Sequence, residues 1–352
     1  MKLEGPIQRL KYIELIPRRC IIMVELGWSK GFIVRTPEHQ LIFDPDSTNI
    51  PAKYSTIFIS HAHADHFIGL KSKVQKYSTR ETRKIFESIH GKSVVNFNDI
   101  KFNQTIEIGN IKVTALNAGH MLGSTQFLIT LPDTSILYTG DINYLDTLTT
   151  RRAENVECDI LVMEATYGEP SYIFPDRESI YANIVQWTLN EIKKGLTPVF
   201  RSYTAGKAQE LVKIFNVYTN LNVITNDRIS KVNKIYSESN IDLEYDEISS
   251  QIDRKSSVYI MSRSKQIYSE KFVRAIVTGW AIKMNSRKTA AFPLSSHADF
   301  NQLFKFVKDS KAKTVYNFTG FTDIFANHLR KRLGIKSRSL PPLAQKTLPH
   351  FN

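Results

Sequence analysis

The sequence predicts an α/β protein of more than one domain, and three observations carry that prediction. Short β-branched runs, broken by Gly, Pro and Asp, alternate with stretches of helical periodicity along the whole chain. The 352 residues suffice for two domains and for a core that needs no disulfide staples. The pattern changes character near Pro170 and changes back near Asn285, as expected of a segment inserted into a domain already begun.

In chain order, "IIMVEL", "GFIVRT", "QLIFDP" and "TIFISHAH" read as strands up to residue 63, and a helical stretch is expected after His66. "TRETRKIFESI" reads as a helix with Thr79 as its cap, because a hydroxyl there can accept from the first free backbone N–H groups. "IKVTALNAG", "TQFLITL" and "SILYTGD" are again strand-like, and "CDILVMEATYG" reads as a buried strand. Past Pro170, "ESIYANIVQWTLNEIKKG" has helical periodicity, "TPVFRS" is a strand and "AGKAQELVKIFNVY" a helix, with further alternation to about Asn285. The tail returns to a strand and helix in "TAAFPLSSHADFNQLFKFVKDS", a strand in "KTVYNFTG" and a helix in "TDIFANHLRKRLG". There is no internal repeat and no low-complexity segment.

Composition narrows the function classes. Lys and Arg total 47 against 34 Asp and Glu, a formal charge of +13 that suits a polyanionic partner, since basic side chains displace counterions along a phosphate backbone. A merely basic surface is the plainer alternative. No apolar run approaches the roughly 20 residues of a membrane span, and the basic N-terminus has too short an apolar stretch for a signal peptide. Two cysteines, Cys20 and Cys158, form no CxxC motif, so free thiols and an intracellular, cytoplasmic setting are expected.

The chemistry concentrates in "SHAHADHFIGL". Three of the nine histidines, His61, His63 and His66, share six positions with Asp65. On an extended backbone His61 and His63 point the same way, and a turn after them would swing Asp65 and His66 toward a neighbouring point. Imidazoles with carboxylates suit Zn, Mn or Fe rather than Ca, and a pair of such ions can clamp both oxygens of a phosphoryl displacement. A polar surface turn would not need so dense a cluster behind an apolar strand. His120 in "NAGHMLGST", Asp141 in "YTGDIN" and Asp44 in "LIFDPD" also fall at strand ends. Each alone reads as a turn residue; together they are the layout of a metal site on the rim of an α/β scaffold.

These residues resemble the motif series of the metallo-β-lactamase fold. The resemblance implies an αββα sandwich, with one zinc held by His61, His63 and His120 and a second ion by Asp65 and His66. Asp141 would bridge the two, with Asp44 orienting the loop behind them. Glu164 in "LVMEATYG", then some 120 residues, then His297 in "PLSSHADF" resemble the β-CASP nucleases, in which an α/β domain is inserted into that fold. The implied division is residues 1–170 for the first part of the sandwich, 171–285 for the insertion and 286–352 for the completing part. Glu164 would then buttress His297, which would stand near the scissile phosphate as a general acid or electrostatic stabiliser, with Asp65 and Asp44 as further catalytic-site residues.

In the RNA-processing members a third added motif carries a histidine that helps hold the second metal. In "TVYNFTGF" that position is Thr319. DNA-processing members of the Artemis type also lack that histidine. "RSYTAGKAQEL", the tripeptide Thr278–Trp280 and the "YxTxET" element at Tyr77–Thr82 likewise resemble the Artemis-type and ligase-associated DNA exonucleases. The missing ligand implies one tight zinc and one weaker site open to Mn or Mg.

For substrate handling, "TPVFRSYTAGKAQELVKIF" is a strand, a polar loop and a helix, and a helix N-terminus carrying a lysine is a natural phosphate seat. Ser202, Thr204, Gly206 and Lys207 are the candidates, with the Tyr203 hydroxyl beside them; Ser295 and Ser296, just before His297, are further ones. "SRSK" at 262–265 and "NSRK" at 285–288 could line a groove. An N-capped helix without a ligand is the plain alternative. The expected function is a metal-dependent phosphodiesterase on DNA, a 5′-to-3′ exonuclease in repair or end processing. The alternatives are a β-CASP ribonuclease or RNA 3′-end processing factor, and a non-catalytic nucleic-acid-binding subunit. Hydrolysis of a small lactam or thioester fits the metal motif but neither the inserted segment nor the charge.

Overall fold

Two sheets face each other across an aromatic core, with helices on both outer faces, and a third sheet is built from a segment inserted between two adjacent strands of the second. The computed structural model describes residues 24–248, 256–263, 269–284 and 289–342. Cys20, the start of the strand expected at "IIMVEL", residues 264–265 and the "NSRK" stretch lie outside the described residues.

The first sheet runs in sequence order through β1 (Glu25–Trp28), β2 (Phe32–Arg35), β3 (Gln40–Phe43), β4 (Ser55–Phe58), β5 (Lys76–Ser78) and β6 (Phe97–Asp99). The second begins with the meander β7 (Thr105–Ile108), β8 (Ile111–Asn117), β9 (Thr125–Leu131) and β10 (Thr134–Tyr138), then turns parallel with β11 (Ile160–Ala165). The third contains β12 (Thr197–Ser202), β13 (Asn222–Thr225), β14 (Asp246–Glu247), β15 (Ser257–Ser262), β16 (Phe272–Val277) and β17 (Ala290–Phe292), all parallel. The chain then completes the second sheet with β18 (Thr314–Gly320), set beside β11, and β19 (Lys336–Ser339). The expected division at 285/286 falls before β17, which still pairs with β16 in the third sheet.

Among the described residues six α-helices cover these sheets: α1 (Arg80–His90), α2 (Arg177–Lys193), α3 (Lys207–Tyr218), α4 (Asp227–Glu238), α5 (Phe300–Ser310) and α6 (Thr322–Leu333). Thr79 caps α1 as expected, accepting from the Thr82 N–H at 3.3 Å. Ile57 and Ile59 on the outer face of the first sheet, with Val74 in the bend before β5, pack with Phe86 of α1, and Leu137, Leu161 and Val315 on the outer face of the second pack with Phe300, Leu303 and Leu329 of α5 and α6. The helix–sheet–sheet–helix order predicted from the motifs is therefore the architecture observed. No helix among the described residues is long and apolar enough to cross a membrane. Cys158 is free and buried, and burial pushes its thiol up to about 12.

One expected strand is shorter than its sequence suggests. "TIFISHAH" leaves regular pairing at Phe58, and the histidines follow in a tight turn in which the N–H groups of His66 and Phe67 both reach the His63 carbonyl at 3.0 Å. His61 and His63 lie before and at the start of this turn with their ring nitrogens 3.2 Å apart, and the turn brings Asp65 and His66 round behind them. The helical stretch expected after His66 is a short 3₁₀ helix, Phe67–Lys71.

The inter-sheet core anchors this rim. Phe43, the last residue of β3, is fully buried, and its ring lies 5.1–5.6 Å from those of Phe32, Phe58, Phe127 and Tyr138. Phe43→Ala removes a ring that both sheets share and should destabilise the fold by about 3–5 kcal/mol in chemical denaturation. A loss under about 1 kcal/mol would mean that the sandwich does not depend on this layer.

Candidate metal centre

Every candidate ligand sits where a strand has just ended. The turn after β4 carries His61, His63, Asp65 and His66; the β8–β9 loop carries His120; Asp141 follows β10; Asp44 follows β3. The His120 loop bends at Gly119 and Gly123, with φ of 70° and 76°. Its far end is pinned by the "YxTxET" element, because the Thr79 and Thr82 hydroxyls both donate to the Gly123 carbonyl, at 2.7 and 3.1 Å. A Cβ on Gly123 would collide with the Thr79 hydroxyl, so the sequence motif and the glycine require each other.

His61, His63, His120 and Asp141 bring one donor atom each to within 4.8 Å of one another. The hydrogen bonds on the far side of each ring assign the inner atom as a lone pair. His120 Nδ1 donates to the Ser296 carbonyl at 2.8 Å, leaving Nε2 bare. His63 Nε2 donates to the Ala205 carbonyl at 3.2 Å, leaving Nδ1 bare. The Ser60 hydroxyl, which donates to Asp44 at 2.5 Å, accepts from His61 Nδ1 at 2.9 Å and leaves Nε2 bare. Those three bare nitrogens face inward, with His61 Nε2 3.2 Å and His120 Nε2 3.0 Å from His63 Nδ1. Asp141 Oδ2 lies 3.5 Å from His61 Nε2 and 3.9 Å from His120 Nε2.

Lone pairs facing each other at this distance repel unless a cation sits between them. Ligands about 2.0–2.1 Å from a tetrahedral ion are separated by roughly 3.3 Å, the scale seen here. The donor set therefore fits a metal ion. Its titration agrees: burial, aided by the neighbouring imidazoles, holds His61 and His120 well below the usual histidine range, and burial with the Lys207 charge brings His63 to about 4. Asp141 stays well below the carboxylate range, because the charges of His66 and His297 outweigh the cost of burial.

His66 faces a different direction. Its Nδ1 is 2.8 Å from Asp44 Oδ2, and its Nε2 points between Asp141 Oδ2 at 3.4 Å and Asp65 Oδ2 at 3.7 Å. Burial would lower its pKa, but Asp141 and Asp44 reverse that and raise it well above the usual value. Asp65 is the exposed member, with its side chain 78% accessible. Asp44 ties this corner together: it accepts from the Ser60 N–H at 2.6 Å and the Tyr138 hydroxyl at 3.0 Å as well as from His66. It does so from a left-handed backbone with φ of 46°, a conformation that an aspartate tolerates better than most residues.

Glu164 and His297 are in direct contact. Glu164 is fully buried in β11, where its pairing with β18 shifts register. It accepts from the Ile142 N–H at 2.6 Å and from His297 Nδ1 at 2.9 and 3.1 Å. Burial opposes charge on His297, but Glu164 and Asp141 raise its pKa above the usual value. Asp141, Glu164 and His297 form a second close donor group, with His297 Nδ1 3.9 Å from Asp141 Oδ2. Thr319 is exposed at the end of β18, and Gly320 packs on the Ala165 backbone beside Glu164.

The loop after β12 reaches the same rim. Gly206, with φ of 87°, starts α3, and a Cβ there would come within 3.9 Å of His63 Nε2 and of the Ser296 hydroxyl. Lys207 is buried; burial, aided by the Arg263 charge, lowers its pKa to about 8. The Thr204 carbonyl accepts from Gln209 Nε2 at 3.1 Å, and the Ser202 hydroxyl is buried and has no hydrogen-bond partner among the described residues. Ser295 serves its own loop, its hydroxyl accepting from the His297 N–H at 3.0 Å. Tyr203 contributes its ring more than its hydroxyl: it lies 5.6 Å from the His63 ring and under the charges of Lys207 and Arg263. Sequence reasoning overlooked Ser60 and Tyr138, which hold Asp44, and Arg177, which donates to the Ser295 carbonyl at 2.6 Å. Ser60 had a signal in its place beside the histidine cluster; Arg177 had none.

Residues 27–189 match the beta-lactamase superfamily domain. The chain is 29% identical over 298 residues to a probable DNA ligase of Opitutus terrae, covering 81% of this chain and 28% of that one. It is 29% identical over 226 residues to RNase aCSPSF2 of Saccharolobus solfataricus, covering 54% of this chain and 45% of that one. The chain thus spans less than half the length of either relative. A solved protein of unknown function from Enterococcus faecalis V583 shares the fold, with a TM-score of 0.59 at 14% identity, over 91% of this chain and 97% of that one.

Asp44→Asn keeps the shape of the Asp44 corner but removes the charge that orients Ser60 and His66. It should weaken metal affinity about 10–100-fold, measured by competition against a chelator of known affinity. Unchanged affinity would reduce Asp44 to a structural turn residue.

Proposed function

We propose that this chain, whose residues 27–189 form a beta-lactamase superfamily domain, is a metal-dependent nuclease that hydrolyses phosphodiester bonds. The observation that carries the reading is the convergence of three histidine lone pairs on Asp141, with each outer ring nitrogen already satisfied. His61, His63, His120 and Asp141 would hold one ion, and Asp65 and His66, sharing Asp141, a second. Ions bound there supply an activated water and neutralise charge on the phosphoryl oxygens. Without a histidine at Thr319 the second position has fewer and harder ligands, so zinc is expected at the first and exchangeable Mn or Mg at the second.

The chain's own residues complete the chemistry. Glu164 accepts from His297 Nδ1, which fixes the ring and leaves Nε2 to donate a proton to the leaving oxygen. Lys207 and the α3 N-terminus, with Ser202, Thr204, Gly206, Ser295 and Ser296 around them, form the seat for a substrate phosphate. DNA is the favoured substrate, attacked from a 5′ end. The support is Thr319 in place of a histidine, the +13 charge and the similarity to a probable DNA ligase along 81% of this chain. Ribonuclease action is the second reading, favoured by the similarity to RNase aCSPSF2.

Digestion of end-labelled DNA and RNA, with and without a 5′ phosphate, under Zn and under Mn, separates these readings. DNA should be shortened from its 5′ end, faster once Mn is added, and the double variant Asp65→Ala, His66→Ala should be inactive yet folded. Preferential RNA cleavage would select the second reading, and wild-type rates in the double variant would reject metal hydrolysis at this site. His297→Ala should lower turnover about 10²–10⁴-fold while bound metal stays constant. Loss of metal in that variant, read by elemental analysis, would make His297 a ligand instead.

A further inference from the structure

Glu210 lies three residues after Lys207 on α3, a spacing that puts the two side chains within reach of each other on one helix face. Here they do not pair. Arg177, the first residue of α2, takes both carboxylate oxygens: its Nη2 is 2.5 Å from each, and its Nε is 3.0 Å from Oε1. The Tyr181 hydroxyl adds a third donor at 2.6 Å. The Arg177 and Glu210 side chains are 12% and 4% exposed, so this is a desolvated, charge-assisted pair in the strong geometry for guanidinium and carboxylate.

Lys207 is left over. It is 5% exposed and, among the described residues, has no carboxylate partner. Its ammonium lies 4.8 Å from the centre of the Tyr203 ring, and the Arg263 guanidinium lies 4.1 Å from the same ring. Glu210 and Asp141 act on this ammonium only at longer range; a buried ammonium with no carboxylate at ion-pair distance is costly to maintain, and a glutamate one turn away would relieve that cost if its oxygens were free. The neighbouring arginine prevents the relief.

We propose that Arg177 is a positioning residue that withholds Glu210 from Lys207, so that the lysine meets an incoming substrate phosphate as an unpaired charge. The inference rests on the reading of Lys207 as a phosphate contact. Removing Arg177 would release the Glu210 carboxylate, and the phosphate would then compete with it for the ammonium. Removing both charges would free the lysine again.

The test compares kcat/KM on a 5′-phosphorylated oligonucleotide with that on its 5′-hydroxyl twin. The ratio is measured for the wild type and for Lys207→Ala, Arg177→Gln, Glu210→Gln and the Arg177→Gln, Glu210→Gln double variant, each checked by thermal unfolding. The ratio should fall about 10-fold or more in Lys207→Ala and in Arg177→Gln. It should remain within about 3-fold of wild type in Glu210→Gln and in the double variant. An Arg177→Gln ratio equal to wild type overturns the proposal, and so does a double variant as impaired as Arg177→Gln. Should Arg177→Gln not fold, the other two variants decide, since loss of the ratio in either means that the pair holds Lys207 in place. If Lys207→Ala keeps the wild-type ratio, the phosphate reading itself fails and the role of Arg177 falls with it. A loss confined to Lys207→Ala rejects only the arginine's role.

Discussion

Three imidazole lone pairs held about 3 Å apart repel one another, and the rest of this molecule is arranged so that they stay there. Each ring is fixed from behind by one hydrogen bond, and the three acceptors come from three separate parts of the chain. Ser60 belongs to the first sheet's rim, Ala205 to the loop before α3, and Ser296 to the segment that returns to the sandwich. The insertion and the returning segment therefore help to set the tautomers of the ligands, although neither supplies an atom to the four-donor group. A two-sheet sandwich stripped of its third sheet would lose the bond from His63 to the Ala205 carbonyl.

The same economy appears around the carboxylates. Asp44 joins the ends of β3, β4 and β10 through Ser60, His66 and Tyr138, and Glu164 joins β11 to the His297 loop. Both are buried and both accept from more than one donor, so the oxygens taken from water keep hydrogen-bond partners. The irregular pairing between β11 and β18 falls at Glu164, where a strand must give up register to aim one side chain into the site.

Much of this was legible in the sequence because metal ligands are rare residue types at short spacing. His61, His63, Asp65 and His66 stand out in any reading, and the strand ends before Asp44, His120 and Asp141 are marked by Gly, Pro or Asp. The alternation of apolar runs gave an α/β chain with an insertion, and the sandwich came from the resemblance that the ligand series carries. The detail of the backbone at His63–Lys71 was not legible, because nothing in the pattern says that the turn is hydrogen-bonded to the His63 carbonyl or that a single short 3₁₀ helix follows it. Arg177 and Glu210 were not legible for another reason. They are 33 residues apart, and a buried ion pair between helices leaves no periodicity, only two charged residues that look like solvated helix faces.

The path of the chain through the second sheet also constrains how the protein is made. Ile160 of β11 is paired with Thr314 of β18, and everything between them must be synthesised before that pairing can form. At ordinary translation rates this is a delay of roughly 10–30 s. Throughout it, Leu137, Leu161 and Met163 wait for the helices that will cover them, α5 and α6. A nascent chain in that interval presents an open parallel edge at β11 beside an uncovered apolar face. That combination is an exposure to aggregation or chaperone capture that the finished molecule no longer carries.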